Sequence, residues 1–381
     1  MGSLTIPSKG QNERRLEEVT AMKVSHLGHS EIQVPDLEVS KRFFNEVLGL
    51  TVSYEDGDRV YLRAWQDFEH HTMILTKGPE RGVGHLSFRV SDPGDLEEFA
   101  NHFEGTGVDH QVVPAGTEEG QGEAVRFTTP GGIPMELYWE MESFQTNDPE
   151  MASPFPSFPQ KTPLMGVVPR RVDHVNVIVN DVVAEQEWLT ENLGILHRYY
   201  TENDEGVRTG SWMSVTNQSH DIALMHNQNQ DGGLLHHPAY FLDSPDDLLR
   251  ATTVIPQYGG RIEWGPGMHA TSGARFLYFM EPGGNRIEIW TGGMMIFAPD
   301  WKPIRWDPEV ANIGFNLWAT LPRRPSLPTA AAPTPCWAAA RRTPLKAPSL
   351  RAVVVTPDDG AFRCSRRSAI TNPSSLHSRS S

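Results

Sequence analysis

The sequence predicts an α+β fold of two domains, each built from two repeated βαβββ units whose curved sheets enclose a cavity. Three observations carry this. The chain duplicates itself: His29, Asp36 and Gly49 recur at one constant offset as His174, Asp181 and Gly194, and His85, Pro93 and Glu136 recur at a second as His237, Pro245 and Glu288. Each half divides again, because His29, His85 and His174 precede Asp36, Asp92 and Asp181 by one common spacing, as His237 precedes Ser244. Each half closes on a related strand, MELYW or IEIW.

The elements follow in order. Each unit opens on an apolar strand that runs into an Asp or Ser-Pro turn and then a helix. In VPDLEVSKRFFNEVLGL, Phe43, Phe44, Val47 and Leu48 fall at helical spacing, Asp36 is placed to cap the start, and Gly49 ends it. Runs rich in Val, Tyr, Phe and Trp, such as RVYLRAW and RFLYFME, supply the later strands. The four units occupy about 24–77, 81–140, 172–226 and 234–291. A repeated unit that cannot bury its own face pairs with a neighbour. The predicted organisation is an N-terminal arm (1–21), a first repeat domain (22–145), a linker (146–171), a second repeat domain (172–310) and an extension (311–381), disordered from about residue 321.

Composition narrows the function classes. No apolar run approaches the roughly 20 residues of a membrane span. The start, GSLTIPSKGQNERR, has no signal-peptide core. Cys336 and Cys364 both lie outside the repeats, so no disulfide framework is expected and a reducing cytoplasm is the predicted setting. The chain carries a net charge of −15, although its tail is basic and rich in Pro, Ala and Ser. The body is therefore more acidic still and would repel nucleic acid.

Two imidazoles and one carboxylate hold a divalent metal on one face and leave the other open. In the second half the set is His174, His237 and Glu288. Asn176 shares the strand face of His174, because side chains alternate. His236 and His237 are neighbours expected on opposite faces, and the repeat register selects His237. Glu288 sits between Ile287 and Ile289, where a carboxylate is costly unless paired or metal-bound.

The motifs DHVN, WMSVTNQSHDIALM, LHHPAYF and GPGMHATSGARFLYFMEPGGNRIEIW resemble the type I extradiol ring-cleaving dioxygenases. Within the vicinal oxygen chelate superfamily, the likeness is to the catechol 2,3-dioxygenase and homoprotocatechuate 2,3-dioxygenase branch. It runs from about residue 22 to 306. The resemblance implies the vicinal oxygen chelate fold, a homotetramer, and Fe(II), less often Mn(II), at His174, His237 and Glu288, with a catechol and dioxygen as substrates. It also implies His220 as acid–base residue, Tyr278 as hydrogen-bond partner of the catechol oxygen and His269 as gate and proton donor. Asn176 would sit beside the dioxygen position, and Trp212 would wall the pocket. Where the homoprotocatechuate enzymes use an arginine to grip the substrate carboxylate, this chain has Trp264, with Met268 following. A site lacking that cation is expected to take a neutral substituted catechol.

The first-half set, His29, His85 and Glu136, lacks such partners by register. Arg126 stands where Tyr278 stands, Thr117 where His269 stands, and Glu31 replaces Asn176. An arginine there would oppose a cation and pair with Glu31 or Glu136, so this pocket is expected to be metal-free. Two other readings remain open on the residues alone. One is a metal-dependent isomerase or transferase of the glyoxalase or fosfomycin-resistance kind, and the other is a non-catalytic ligand-binding protein.

Overall fold

A computed structural model describes residues 23–227 and 233–318. The N-terminal arm and the segment from residue 321 onward lie outside these. The four units appear as expected. The first comprises β1 (Val24–Val34), a helix α1 (Leu37–Arg42) that widens into a π turn (Phe43–Leu48), and β2 (Thr51–Glu55), β3 (Arg59–Arg63) and β4 (Met73–Lys77). The second comprises β5 (Gly82–Val90), α2 (Pro93–Thr106), β6 (His110–Val113), β7 (Ala124–Thr128) and β8 (Pro134–Tyr138). The third has β9 (Arg171–Val179), α3 (Val182–Leu193), β10 (Leu196–Glu202), β11 (Arg208–Ser214) and β12 (Ile222–His226). The fourth has β13 (Leu234–Phe241), α4 (Pro245–Gln257), β14 (Arg261–Met268), β15 (Arg275–Met280) and β16 (Arg286–Thr291).

Each helix starts where the sequence places a cap. The side chains of Asp36, Asp92, Asp181 and Ser244 accept backbone N–H groups of the first turn, which otherwise lack partners. Gly49 ends the first helix at a φ of 87°, in the left-handed region that glycine adopts without steric cost.

Two units make one sheet. The first sheet runs β2-β3-β4-β1-β5-β8-β7-β6, and the second repeats that order with β17 (Ile304–Trp306) added beyond β10. The first strands of the two units in each half pair antiparallel at the centre, β1 with β5 and β9 with β13. The halves pack unit against unit. One apolar core joins the second and third units, with Phe103 stacked 6.4 Å from Trp188. The other joins the first and fourth, with Phe43 6.0 Å from Phe279. A final helix, α5 (Pro308–Phe315), crosses the boundary expected at residue 310. It belongs with the second domain, since Thr271 N–H donates to Gly314 O and Leu317 N–H to Met268 O. Among the described residues, no helix is long and apolar enough to cross a membrane.

Candidate metal centre

Strand register builds the site. In the second sheet, Trp264, Tyr278, Glu288, Ala239 and His174 lie in one row across β14, β15, β16, β13 and β9. Asn176 lies opposite His237 in the neighbouring row. Rows two residues apart share a face, which is why residues distant in sequence converge.

His174 Nε2 and His237 Nε2 lie 2.9 and 3.0 Å from Glu288 Oε2, all three residues fully buried. His174 donates its Nδ1–H to Asp173 at 2.9 Å, which fixes the ring and turns Nε2 inward, an arrangement found behind metal-bound imidazoles. Burial lowers the pKa of His174, but Asp173 and Glu288 outweigh it and raise it to about 9. The position thus favours positive charge. Burial also pushes Glu288 up, yet the adjoining imidazoles of His174 and His237 hold it well below the usual carboxylate range. His237 is driven by burial down to about 4, so it is a neutral donor at pH 7. Its Nε2 and Glu288 Oε1 are buried without a hydrogen-bond partner. Orphaned polar atoms of this kind are costly unless something else satisfies them. The donor set and these atoms fit a divalent cation, and the three residues can bring their donors onto one ion.

His236 and His237 do not simply face opposite ways. The β13–β9 register shifts between Leu235 and His237, and the bulge places the two Nδ1 atoms 2.6 Å apart. His237 nevertheless stands with His174 and Glu288, as the repeat register predicted.

The remaining predicted residues divide into two groups. His220 stands with the triad, its ring 4.2 Å from that of His174. Its Nδ1 lies 3.2 Å from the Tyr199 hydroxyl and 3.1 Å from Ser219 Oγ. Burial, with His174 adding to it, holds His220 neutral well below its ordinary pKa. His269 Nε2 lies 3.1 Å from the Tyr278 hydroxyl and 3.5 Å from Glu288 Oε1. Trp264 stacks on Tyr278 at 5.8 Å and 14°, and its edge is exposed. Asn176 keeps a buried Oδ1 without a partner. Trp212 lies in the row of Asn176 and His237, across Ala223, and stacks on Tyr199 at 4.9 Å in a cluster with Phe315. Met268 ends β14, and its carbonyl ties down Leu317. The GPG segment is part of that strand, which shifts register between Trp264 and Gly267, and is no free loop.

Sequence reasoning missed Tyr199, Ser219 and Asp173 on this side. On the other side it missed more. The first-half pocket holds His29, His85 and Glu136 as expected, and also His71 and Glu118. His71 sits two residues before β4 as His220 sits two before β12, so the duplication extends to a third histidine. Arg126 pairs with Glu136 at 2.6 Å and with Glu118, while Glu31 pairs with His85 at 2.9 Å and with Thr76.

Comparison with known proteins places this chain. Residues 83–142 match the catechol 2,3-dioxygenase-like N-terminal domain, and residues 171–289 the glyoxalase/bleomycin resistance protein/dioxygenase superfamily. The chain is 39% identical over 298 residues to a manganese-dependent 2,3-dihydroxybiphenyl 1,2-dioxygenase of Geobacillus genomosp. 3, covering 78% of this chain and 94% of that one. It is 37% identical to a metapyrocatechase of Geobacillus stearothermophilus, over 77% of this chain and 89% of that one. The crystal structure of homoprotocatechuate 2,3-dioxygenase from Arthrobacter globiformis superposes with a TM-score of 0.70 at 28% identity, covering 78% of this chain and 89% of that one. With relatives of this kind along nearly their whole length, the isomerase, transferase and ligand-trap readings fall away, and the chain belongs to the extradiol ring-cleaving dioxygenases of the vicinal oxygen chelate superfamily.

Proposed function

We propose that His174, His237 and Glu288 hold the Fe(II) or Mn(II) of an extradiol dioxygenase that cleaves neutral, substituted catechols. The observation that carries this is the buried triad with its orphaned Glu288 Oε1 and His237 Nε2. Manganese stands beside iron because the 39% identical relative is named for it. When bound, the metal supplies Lewis acidity and brings catechol and dioxygen into one coordination sphere.

The chain's own residues do the rest. His220, its ring 4.2 Å from that of His174, accepts a catechol hydroxyl proton and returns it as the ring opens. The Phe315 carbonyl accepts from His269 Nδ1 at 2.6 Å. This leaves His269 Nε2 as acceptor for the Tyr278 hydroxyl, whose oxygen then receives a hydrogen bond from the substrate. Asn176 offers an unpaired amide oxygen on the face of His174. Trp264 and Met268 present an apolar wall where a charged side chain would find no partner, so neutral catechols are favoured. Self-association is part of the proposal, supported by the exposed apolar side chains of Met295, Phe297, Ile313 and Leu317. Light scattering of the purified chain tests it, and a monomer at micromolar concentration would remove it.

The decisive experiment loads the enzyme with Fe(II) or Mn(II) under anaerobic conditions, then admits air and a panel of catechols. The expected result is one dioxygen consumed per catechol and a yellow ring-opened product, with methyl-, chloro- or aryl-catechols preferred over carboxymethylcatechol. No dioxygen uptake with any catechol would remove the reading.

A further inference from the structure

The first-half pocket is as much a donor cluster as the second. His29 Nε2 lies 3.1 Å from His85 Nε2 and 3.1 Å from Glu118 Oε2. His85 Nε2 lies 3.4 Å from Glu118 Oε1 and 3.7 Å from Glu136 Oε1. Donors bound tetrahedrally at about 2.0–2.1 Å sit about 3.3 Å apart. All four residues are buried, and one donor atom from each lies within 4.8 Å of the others. Glu118 Oε2, apart from this approach of His29, has no aligned hydrogen bond, and His71 Nε2, 3.9 Å from it, finds no partner. His85 gives its Nδ1–H to Glu31 at 2.9 Å, just as His174 gives its own to Asp173. Ser87 and Gln121 each donate to Glu136 at 2.9 Å, the support that ligating carboxylates receive.

Charge points the same way. Glu31, Glu118 and Glu136 bring three carboxylates against one guanidinium, that of Arg126. Buried charge left uncompensated is costly, and a divalent cation adds positive charge at one point. Arg126 also occupies the place that Tyr278 holds in the other half, so substrate has no open side from which to approach. We propose that His29, His85, Glu118 and Glu136 form a second, closed and non-catalytic site for a divalent cation of the zinc class. Arg126 balances the surplus carboxylate charge and seals the site. This reverses the expectation drawn from Arg126, Thr117 and Glu31, and it does not depend on the function proposed for the other half.

The test counts metal in the intact chain after loading with Zn(II) and gel filtration. Wild type should hold one divalent ion per chain more than Glu118→Gln, two in all where the second-half triad also takes zinc. Glu118→Gln keeps a hydrogen-bond partner for Arg126 but removes the charge, and should lose that one ion, with turnover persisting after Fe(II) or Mn(II) loading. The same count in wild type and Glu118→Gln would overturn the proposal, either because the first-half site is empty or because the extra ion is adventitious. If Glu118→Gln does not fold, the zinc K-edge spectrum of an iron-loaded, zinc-treated wild type decides. Two imidazoles with oxygen donors support the site, and an all-oxygen or sulfur shell overturns it.

Discussion

His269 Nδ1 lies 2.6 Å from the carbonyl oxygen of Phe315, the last residue of the final helix. The helix thereby sets which ring nitrogen of His269 faces Tyr278. A chain ending after residue 320 keeps this contact and should keep full turnover. A chain ending before Pro308 loses it. Its kcat should fall by about 10- to 100-fold, short of the roughly 100- to 10,000-fold loss that follows removal of a general acid–base group itself. Steady-state rates on one catechol compare the two, and equal rates would detach the helix from catalysis.

In the proposed function His220 moves protons and does not bind metal. His220→Asn or His220→Phe should slow turnover by roughly 100- to 10,000-fold on every substrate. Metal content and anaerobic catechol binding should persist. A variant with full turnover would displace His220 from the mechanism.

In the proposed function Trp264 sets preference more than rate. Trp264→Arg adds a guanidinium that pairs with a carboxylate. The ratio of kcat/KM for carboxymethylcatechol to that for methylcatechol should rise, and an unchanged ranking would move the specificity wall elsewhere.

Asp67 links the two halves, accepting the Val172 N–H at 3.2 Å along with Ala64 N–H at 3.1 Å and Thr72 O–H at 3.0 Å. Burial raises its pKa to about 6 from an ordinary 3.8, overcoming Arg63 and these donors. Between those values the folded chain holds a proton that the unfolded chain has released. Its contribution to stability therefore falls as pH rises through this window. Asp67→Asn should flatten the change in urea midpoint between about pH 4 and 6 relative to wild type. Parallel curves for the two proteins would refute this.

The duplication made the fold and half of the site legible. Four caps, one glycine stop and the triad sit at fixed offsets, and strand register converts those offsets into shared rows. What escaped did so for local reasons. His71 and His220 occupy matching places, but the segment joining the helix of each unit to that point differs in length, so neither offset aligns them. Glu118 lies in the connection between β6 and β7, next to the residue the register singled out. Tyr199 supports His220 from a strand with no recurring motif. The bulge at His236 breaks the alternation from which opposite faces were inferred. The final helix carries no copy of the repeat, yet its backbone touches the site.

The central claim is that the catalytic metal rests on His174, His237 and Glu288. Iron content and turnover after anaerobic Fe(II) loading, compared for His237→Ala and His236→Ala, test it most directly. His236→Ala should keep its catalytic iron and most of its turnover, and His237→Ala should lose both. Retention of iron and activity by His237→Ala, with loss from His236→Ala, would contradict the account.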